Sequence, residues 1–139
     1  MTALQKEFFN AEAFAVVGAS TDKSKFGNKV FVWYLDHKKP VTPIHPKEAS
    51  IEGVDTLKSL SGLPNPATTS ISVVTPAKVT LAVLKEAKEL GIHAVWIQPG
   101  ASDEACAEYI KAEGLEDKVI YGGPCILRDG ESVLAAIGQ

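Results

Sequence analysis

Apolar positions along this chain follow two rhythms, short unbroken runs and longer stretches that recur every three or four residues. The unbroken runs, Ala13–Val17, Val41–Ile44, 69–75, Ala94–Ile97 and 119–121, predict short strands. Those without polar alternation, such as Ala13–Val17, fit central parallel strands buried on both faces. Between the runs, helical spacing prevails. Leu4, Phe8 and Phe9 share a face within residues 1–12. Val30, Phe31, Tyr34 and Leu35 do so between 27 or 28 and 37, with Trp33 at the border of that face. Val79, Val83, Leu84, Ala87 and Leu90 form a stripe after Pro76, a residue tolerated in a first helical turn, and Gly91 closes it. Ser102 is placed to cap a helix over 102–113, and a closing helix is expected over 131–137.

Residues 47–68 carry the weakest pattern, with a short edge strand expected around 51–54 and one or two helical turns around 56–60. Strand and helix in alternation predict an α/β fold, a doubly wound parallel sheet covered by helices on both faces. In such sheets ligands sit beyond the carboxyl ends of the strands. Here each strand ends in an unusual tail: Gly18-Ala19-Ser20, Pro43-Ile44-His45-Pro46-Lys47, Thr75-Pro76-Ala77, Gln98-Pro99-Gly100 and Gly122-Gly123-Pro124-Cys125. These tails are expected to converge on one edge.

Length and composition narrow this picture. A chain of 139 residues, 45% hydrophobic and 22% charged, is expected to form one soluble globular domain over 1–139. Its net charge of −3 argues against a general nucleic-acid or anionic-membrane surface, which would have to be basic. Cys106 and Cys125 provide no metal or disulfide framework, and the polar N-terminal stretch does not resemble a signal peptide. A cytoplasmic location is the default expectation.

The candidate chemistry begins at 13–27, AFAVVGASTDKSKFG, where a buried strand breaks at Gly18 and a helix starts near Gly27. Unpaired N–H groups and the helix dipole make such a junction an anion site. A dinucleotide fingerprint would need G-x-G-x-x-G here and an acidic residue at the end of the second strand. The next glycine after Gly18 is Gly27, and the second strand ends in His45, Pro46 and Lys47. A lysine there favours a phosphorylated ribose over plain NAD. On charge alone the residues therefore favour a phosphorylated nucleotide, NADP among them, and disfavour plain NAD.

The ordered set VVGAS (16–20), FGN (26–28), VTPIHPK (41–47), VVTPA (73–77), VWIQPGAS (95–102) and GGPC (122–125) resembles the small stand-alone CoA-binding-domain proteins. These are relatives of the N-terminal domain of the succinyl-CoA synthetase alpha subunit. The resemblance implies a Rossmann-like three-layer sandwich of five or six parallel strands in the order 3-2-1-4-5-6, with a short edge strand in the first half. It also implies coenzyme A as the ligand. Gly18, Ala19, Ser20 and the backbone around Phe26, Gly27 and Asn28 would hold the diphosphate, and Lys47 the ribose 3′-phosphate. Thr75 and Pro76 would lie near the adenine or the pantetheine arm, with Gln98 and Gly100 along the same crevice and Pro43 and His45 on the second-strand wall. Thr42 stands where the family has an asparagine. The synthetase's phosphohistidine segment belongs to a domain absent here, so ligase activity is not implied.

Each residue also has a plainer reading. Lys47 could be a solvated lysine, and Ser20 a loop cap that lines the site in either case. His45 has no carboxylate or nucleophile spaced to work with it, which favours a packing or ribose-contacting role over acid–base chemistry. Cys125 reads first as a small packing residue, with a mixed disulfide to the CoA thiol as the sharper alternative. Cys106 reads as core, and Trp96 as a residue near the pocket floor. No catalytic set emerges. The competing functions are a CoA sensor, carrier or accessory protein without catalysis, a minimal NADP oxidoreductase, and a homodimerising scaffold with a vestigial site.

Overall fold

A computed structural model describes residues 2–139, so Met1, the first residue of the helix expected over 1–12, lies outside the described residues. The chain runs α1 (Ala3–Phe9), β1 (Ala13–Val17), α2 (Phe26–Asp36), β2 (Val41–Ile44), β3 (Ser50–Ile51), β4 (Val54–Asp55), β5 (Thr69–Val73), α3 (Ala77–Leu90), β6 (Ala94–Ile97), α4 (Glu104–Ala112), β7 (Val119–Ile120) and α5 (Ile126–Ala136). Five strands form one parallel sheet in the order β2-β1-β5-β6-β7. This is the expected doubly wound Rossmann-like sandwich, reversing direction between β1 and β5.

The strands lack polar alternation because they serve two apolar layers. Phe14 and Val16 of β1 and Ala94 and Trp96 of β6 face a layer with α1, α2 and α5. Ala15, Val17, Val95 and Ile97 point the other way, toward α3 and α4. Side chains that alternate across a pleated strand make this division automatic. The two layers differ in kind. Phe8, Phe9, Phe14, Phe31, Trp33, Tyr34 and Trp96 all belong to the first, and the second is built mainly from aliphatic side chains.

Several expectations need correction. The first-half edge strand does not join the sheet: Ile51 and Val54 pair in a separate hairpin. Its turn residues, Glu52 and Gly53, have φ of 50° and 80°, the double positive φ of a tight two-residue turn. Beside β2, Leu57 makes one isolated parallel bridge to Ile44. Trp33 is buried with its neighbours rather than bordering them. Asp103, not Ser102, caps α4, its carboxylate accepting from Cys106 N at 3.0 Å. Cys106 is core as expected, and burial pushes its thiol up. Val79 leaves the α3 stripe for the surface, 47% exposed, and Thr80 is buried in its place. Finally, α5 begins at Ile126 rather than 131. Ile126 N donates to Gln98 Oε1 at 2.9 Å and Cys125 N to Asp129 Oδ2 at 3.0 Å, so side chains satisfy the helix start. Among the described residues no helix is long and apolar enough to cross a membrane.

Candidate functional site

The tails of β1, β2, β5 and β6 meet at the carboxyl edge of the sheet, and their meeting point is set by two glycines. Gly18 takes φ of 91°, a left-handed conformation that side chains disfavour. A Cβ on it would lie 2.9 Å from the Val74 carbonyl oxygen. One on Gly27 would lie 2.1 Å from the Gly18 carbonyl oxygen. The first turn of α2 therefore rests directly on the end of β1, which only a missing side chain permits. The intervening loop is tied by its own side chains. Ser20 Oγ accepts from Asp22 N at 3.0 Å, and Asp22 Oδ1 accepts from the Ser24 N–H and hydroxyl at 2.9 and 2.6 Å. The Ser24 donors hold the Asp22 carboxyl below the usual carboxylate range. Asn28, buried on α2, donates to the Ser20 carbonyl at 2.9 Å and to Glu52 Oε2 at 3.4 Å, coupling the loop to the hairpin. No side chain caps the start of α2.

On the β2 side of this loop lies a cavity of about 500 Å³. Gly18, Ala19 and Ser20 form its head, and Val17, Ile44 and Leu60 its apolar floor. His45 and Pro46 form one wall with Lys58 and Ser59. Thr75, Pro76 and the Val79, Val83 and Glu86 face of α3 form the other. On the β6 side a second cavity of about 430 Å³ is lined by Phe26, Gly27, Pro99, Gly100 and Ala101. Both share Gly18, Ser20, Lys25, Val74, Thr75 and Pro76, so one trough crosses the end of β1.

The sequence candidates divide accordingly. Gly18, Ala19, Ser20, His45, Thr75 and Pro76 line the first cavity, and Phe26, Gly27 and Gly100 the second. Asn28 braces the loop, and Pro43 is buried within β2 beside Val16. Lys47 is exposed one residue beyond the lining residue Pro46. Gln98 and Cys125 line neither cavity. Gln98 is buried, donating from Nε2 to Cys125 Sγ at 3.3 Å while Oε1 caps α5. The Trp96 ring packs in the aromatic layer and its Nε1 donates to the Pro124 carbonyl at 3.2 Å. Thus Trp96 and Gln98 pin the last tail to β6. The Arg128 guanidinium and the Cys125 N–H hold the Asp129 carboxyl below the usual range, which keeps this cap ionised.

Sequence reasoning missed Lys25, Lys58 and Glu86. Lys25 stands immediately before α2 and is recoverable from the helix start. Lys58 falls in the unpatterned region, and Glu86 on a helix face that looks merely solvated.

His45 has a specific local role. Its Nδ1 accepts from Lys47 N and Glu48 N, both at 3.0 Å, so the neutral ring carries its proton on Nε2. The ring closes the turn after β2 as an Asx side chain would. His45→Ala should therefore cost about 1–2 kcal/mol in urea unfolding, the worth of side-chain hydrogen bonds to backbone, and His45→Asn should recover part of it. Equal stability of the two variants would mean that the ring holds this turn by packing instead.

The family model described as the CoA binding domain matches residues 12–131. Acetate–CoA ligase (ADP-forming) II subunit alpha of Pyrococcus furiosus is 35% identical over 91 residues, 65% of this chain but only 20% of the ligase subunit. The chain thus corresponds to about a fifth of that curated relative. A conserved hypothetical protein of Pyrococcus furiosus superposes with a TM-score of 0.76 at 34% identity, covering 85% of this chain and 98% of that one. A hypothetical protein of Pyrococcus horikoshii OT3 shares the fold, with a TM-score of 0.80 at 22% identity over 94% of this chain and 89% of its own. With the family match running from the residue before β1 to the middle of α5, the chain belongs to the CoA binding domain family.

Proposed function

We propose that the trough across the end of β1 holds coenzyme A, and that the protein serves as a CoA sensor, carrier or accessory module without chemistry of its own. The observation that carries this reading is the trough itself. It is open, glycine-cradled at its centre and lined at the loop by Lys25. The diphosphate lies against Gly18, Ala19, Ser20 and the uncapped start of α2, where N–H groups and the helix dipole attract an anion. Lys25 neutralises it. The adenosine occupies the larger cavity, with Lys58 and Lys47 on the ribose 3′-phosphate. The pantetheine arm crosses Thr75 and Pro76 toward Gly100 and Phe26. The larger cavity's lining includes His45 but no cysteine, and His45 Nδ1 is committed to the backbone, which supports binding rather than catalysis.

Titration calorimetry with CoA and dephospho-CoA tests the assignment. CoA should bind more tightly, by about tenfold or more if one charge-assisted hydrogen bond to the 3′-phosphate is lost in dephospho-CoA. Lys25→Ala should weaken both ligands alike, whereas Lys58→Ala and Lys47→Ala should weaken CoA more. No binding, or equal weak binding of both by the unaltered protein, overturns the reading.

A further inference from the structure

We infer that Glu86 selects the base of the bound nucleotide by accepting a hydrogen bond from the exocyclic amine of an adenine ring, an inference that rests on the CoA reading of the trough. The larger cavity extends from the β1 loop down one face of α3, on which Val79, Val83 and Glu86 follow Pro76 at spacings of three and four. At 1.5 Å per residue, Glu86 lies about 15 Å along the helix from Pro76. That distance removes its carboxylate from the loop where phosphates are held, so it does not oppose them.

Between loop and carboxylate the cavity is apolar. Val17, Ile44, Leu60 and Val83 are buried core residues that also form its surface. Val79 and Phe26 are the exposed large hydrophobic residues of the described chain, and both lie in the trough. A flat apolar ring seated here would cover Val79, as an exposed apolar side chain inside a concave site invites.

The polar partner for that ring is then decided by what Glu86 lacks. It is half-buried and joins none of the ion pairs among the described residues. Its helical neighbours at three and four residues are Ala82, Val83, Glu89 and Leu90, so no cation on its own helix faces it. Lys85, next in sequence, instead reaches over the Tyr109 ring at 5.9 Å. An ionised carboxylate only accepts hydrogen bonds. A carboxylate set against C6 on the side away from N1 accepts from the adenine amine and is repelled by the carbonyl oxygen that hypoxanthine and guanine carry there. On the N1 side it would instead accept from their N1–H; Glu86 takes the first of these sides.

The test compares CoA with its deaminated hypoxanthine analogue by calorimetry, on the unaltered protein, Glu86→Gln and Glu86→Ala, with circular dichroism confirming the fold of each. The unaltered protein should prefer CoA by about tenfold or more, as expected when a hydrogen bond to a charged group is replaced by repulsion. Glu86→Gln, whose amide both donates and accepts, should bring the preference to within about threefold. Glu86→Ala should lose CoA affinity while its affinity for the analogue holds or rises. Binding of both ligands without discrimination by the unaltered protein, or a full preference retained in Glu86→Gln, overturns this inference alone. Binding of neither by the unaltered protein overturns the CoA reading and this inference with it.

Discussion

Gly27→Ala should abolish CoA binding and destabilise the protein by about 2 kcal/mol, although alanine is the better helix former. The sign follows from magnitudes. Gly27 is the second residue of α2, where alanine gains less than the ~1 kcal/mol it has over glycine in a helix interior. Against this, the added methyl would sit 2.1 Å from the Gly18 carbonyl oxygen and 3.4 Å from Ser20 N, both backbone atoms. Backbone cannot turn aside as a side chain does, and overpacking costs about 1–3 kcal/mol and sometimes more. Relief requires the start of α2 to part from the end of β1, which pulls apart the head of the trough. Stability and binding therefore fall together. Gly53→Ala is the control: its φ of 80° strains any side chain, but no atom lies within 4 Å of the new methyl. It should lose a smaller stability increment and retain binding. Thermal unfolding and calorimetry on both variants check this, and a Gly27→Ala protein that binds as tightly as the parent would refute it.

Trp96→Ala should cost about 3–5 kcal/mol, the range for deleting a large buried aromatic side chain. Trp96 is fully buried, edge-on to Phe8 at a ring separation of 5.5 Å and tilted against Phe9 at 5.9 Å. Trp96→Phe separates packing from hydrogen bonding. It keeps most of the ring contact but strands the Pro124 carbonyl that Nε1 now serves, a loss of about 1–3 kcal/mol. Urea unfolding gives the two values, and amide exchange across 122–126 should accelerate in both variants because Trp96 and Gln98 together anchor that tail. An alanine variant within about 1 kcal/mol of the parent would mean that α1 closes over the gap and that the aromatic layer is plastic.

What could be read from residues alone was what local chemistry decides. β1 and β6 were legible as continuous apolar runs, and the end of α3 was legible because Gly91 supplies the left-handed residue, φ 69°, that stops it. The tail of β1 was legible as a tight junction between a buried strand and a helix because Gly18 breaks the strand just before α2. What could not be read depended on distant partners. The start of α5 rests on Asp129 nearby and on Gln98, 28 residues earlier in the chain, and the second of these partners leaves no local mark at Ile126. Val79 has the spacing of a core residue, yet its face of α3 meets a cavity instead of the sheet. Lys58 approaches the trough only because the hairpin turn at Glu52 and Gly53 folds the chain back before Leu57 touches β2. Single cations in irregular segments carry no pattern, so only a three-dimensional arrangement identifies them.

The division of the interior into two unlike layers bears on how this protein breathes. The aromatic side is closed by its own side chains except at Ala19 and Val74, which also line the trough. The aliphatic side shares Val17, Ile44, Leu60 and Val83 between its packed interior and the wall of the large cavity, so part of that interior faces a hollow. On the proposed reading, a nucleotide seated there would complete one half of the molecule and meet the other only at Ala19 and Val74. Ligand binding should quiet local opening around β2, the Leu60 turn and α3 while leaving α1 and α5 as they were, so that amide exchange slows on one side of the sheet alone.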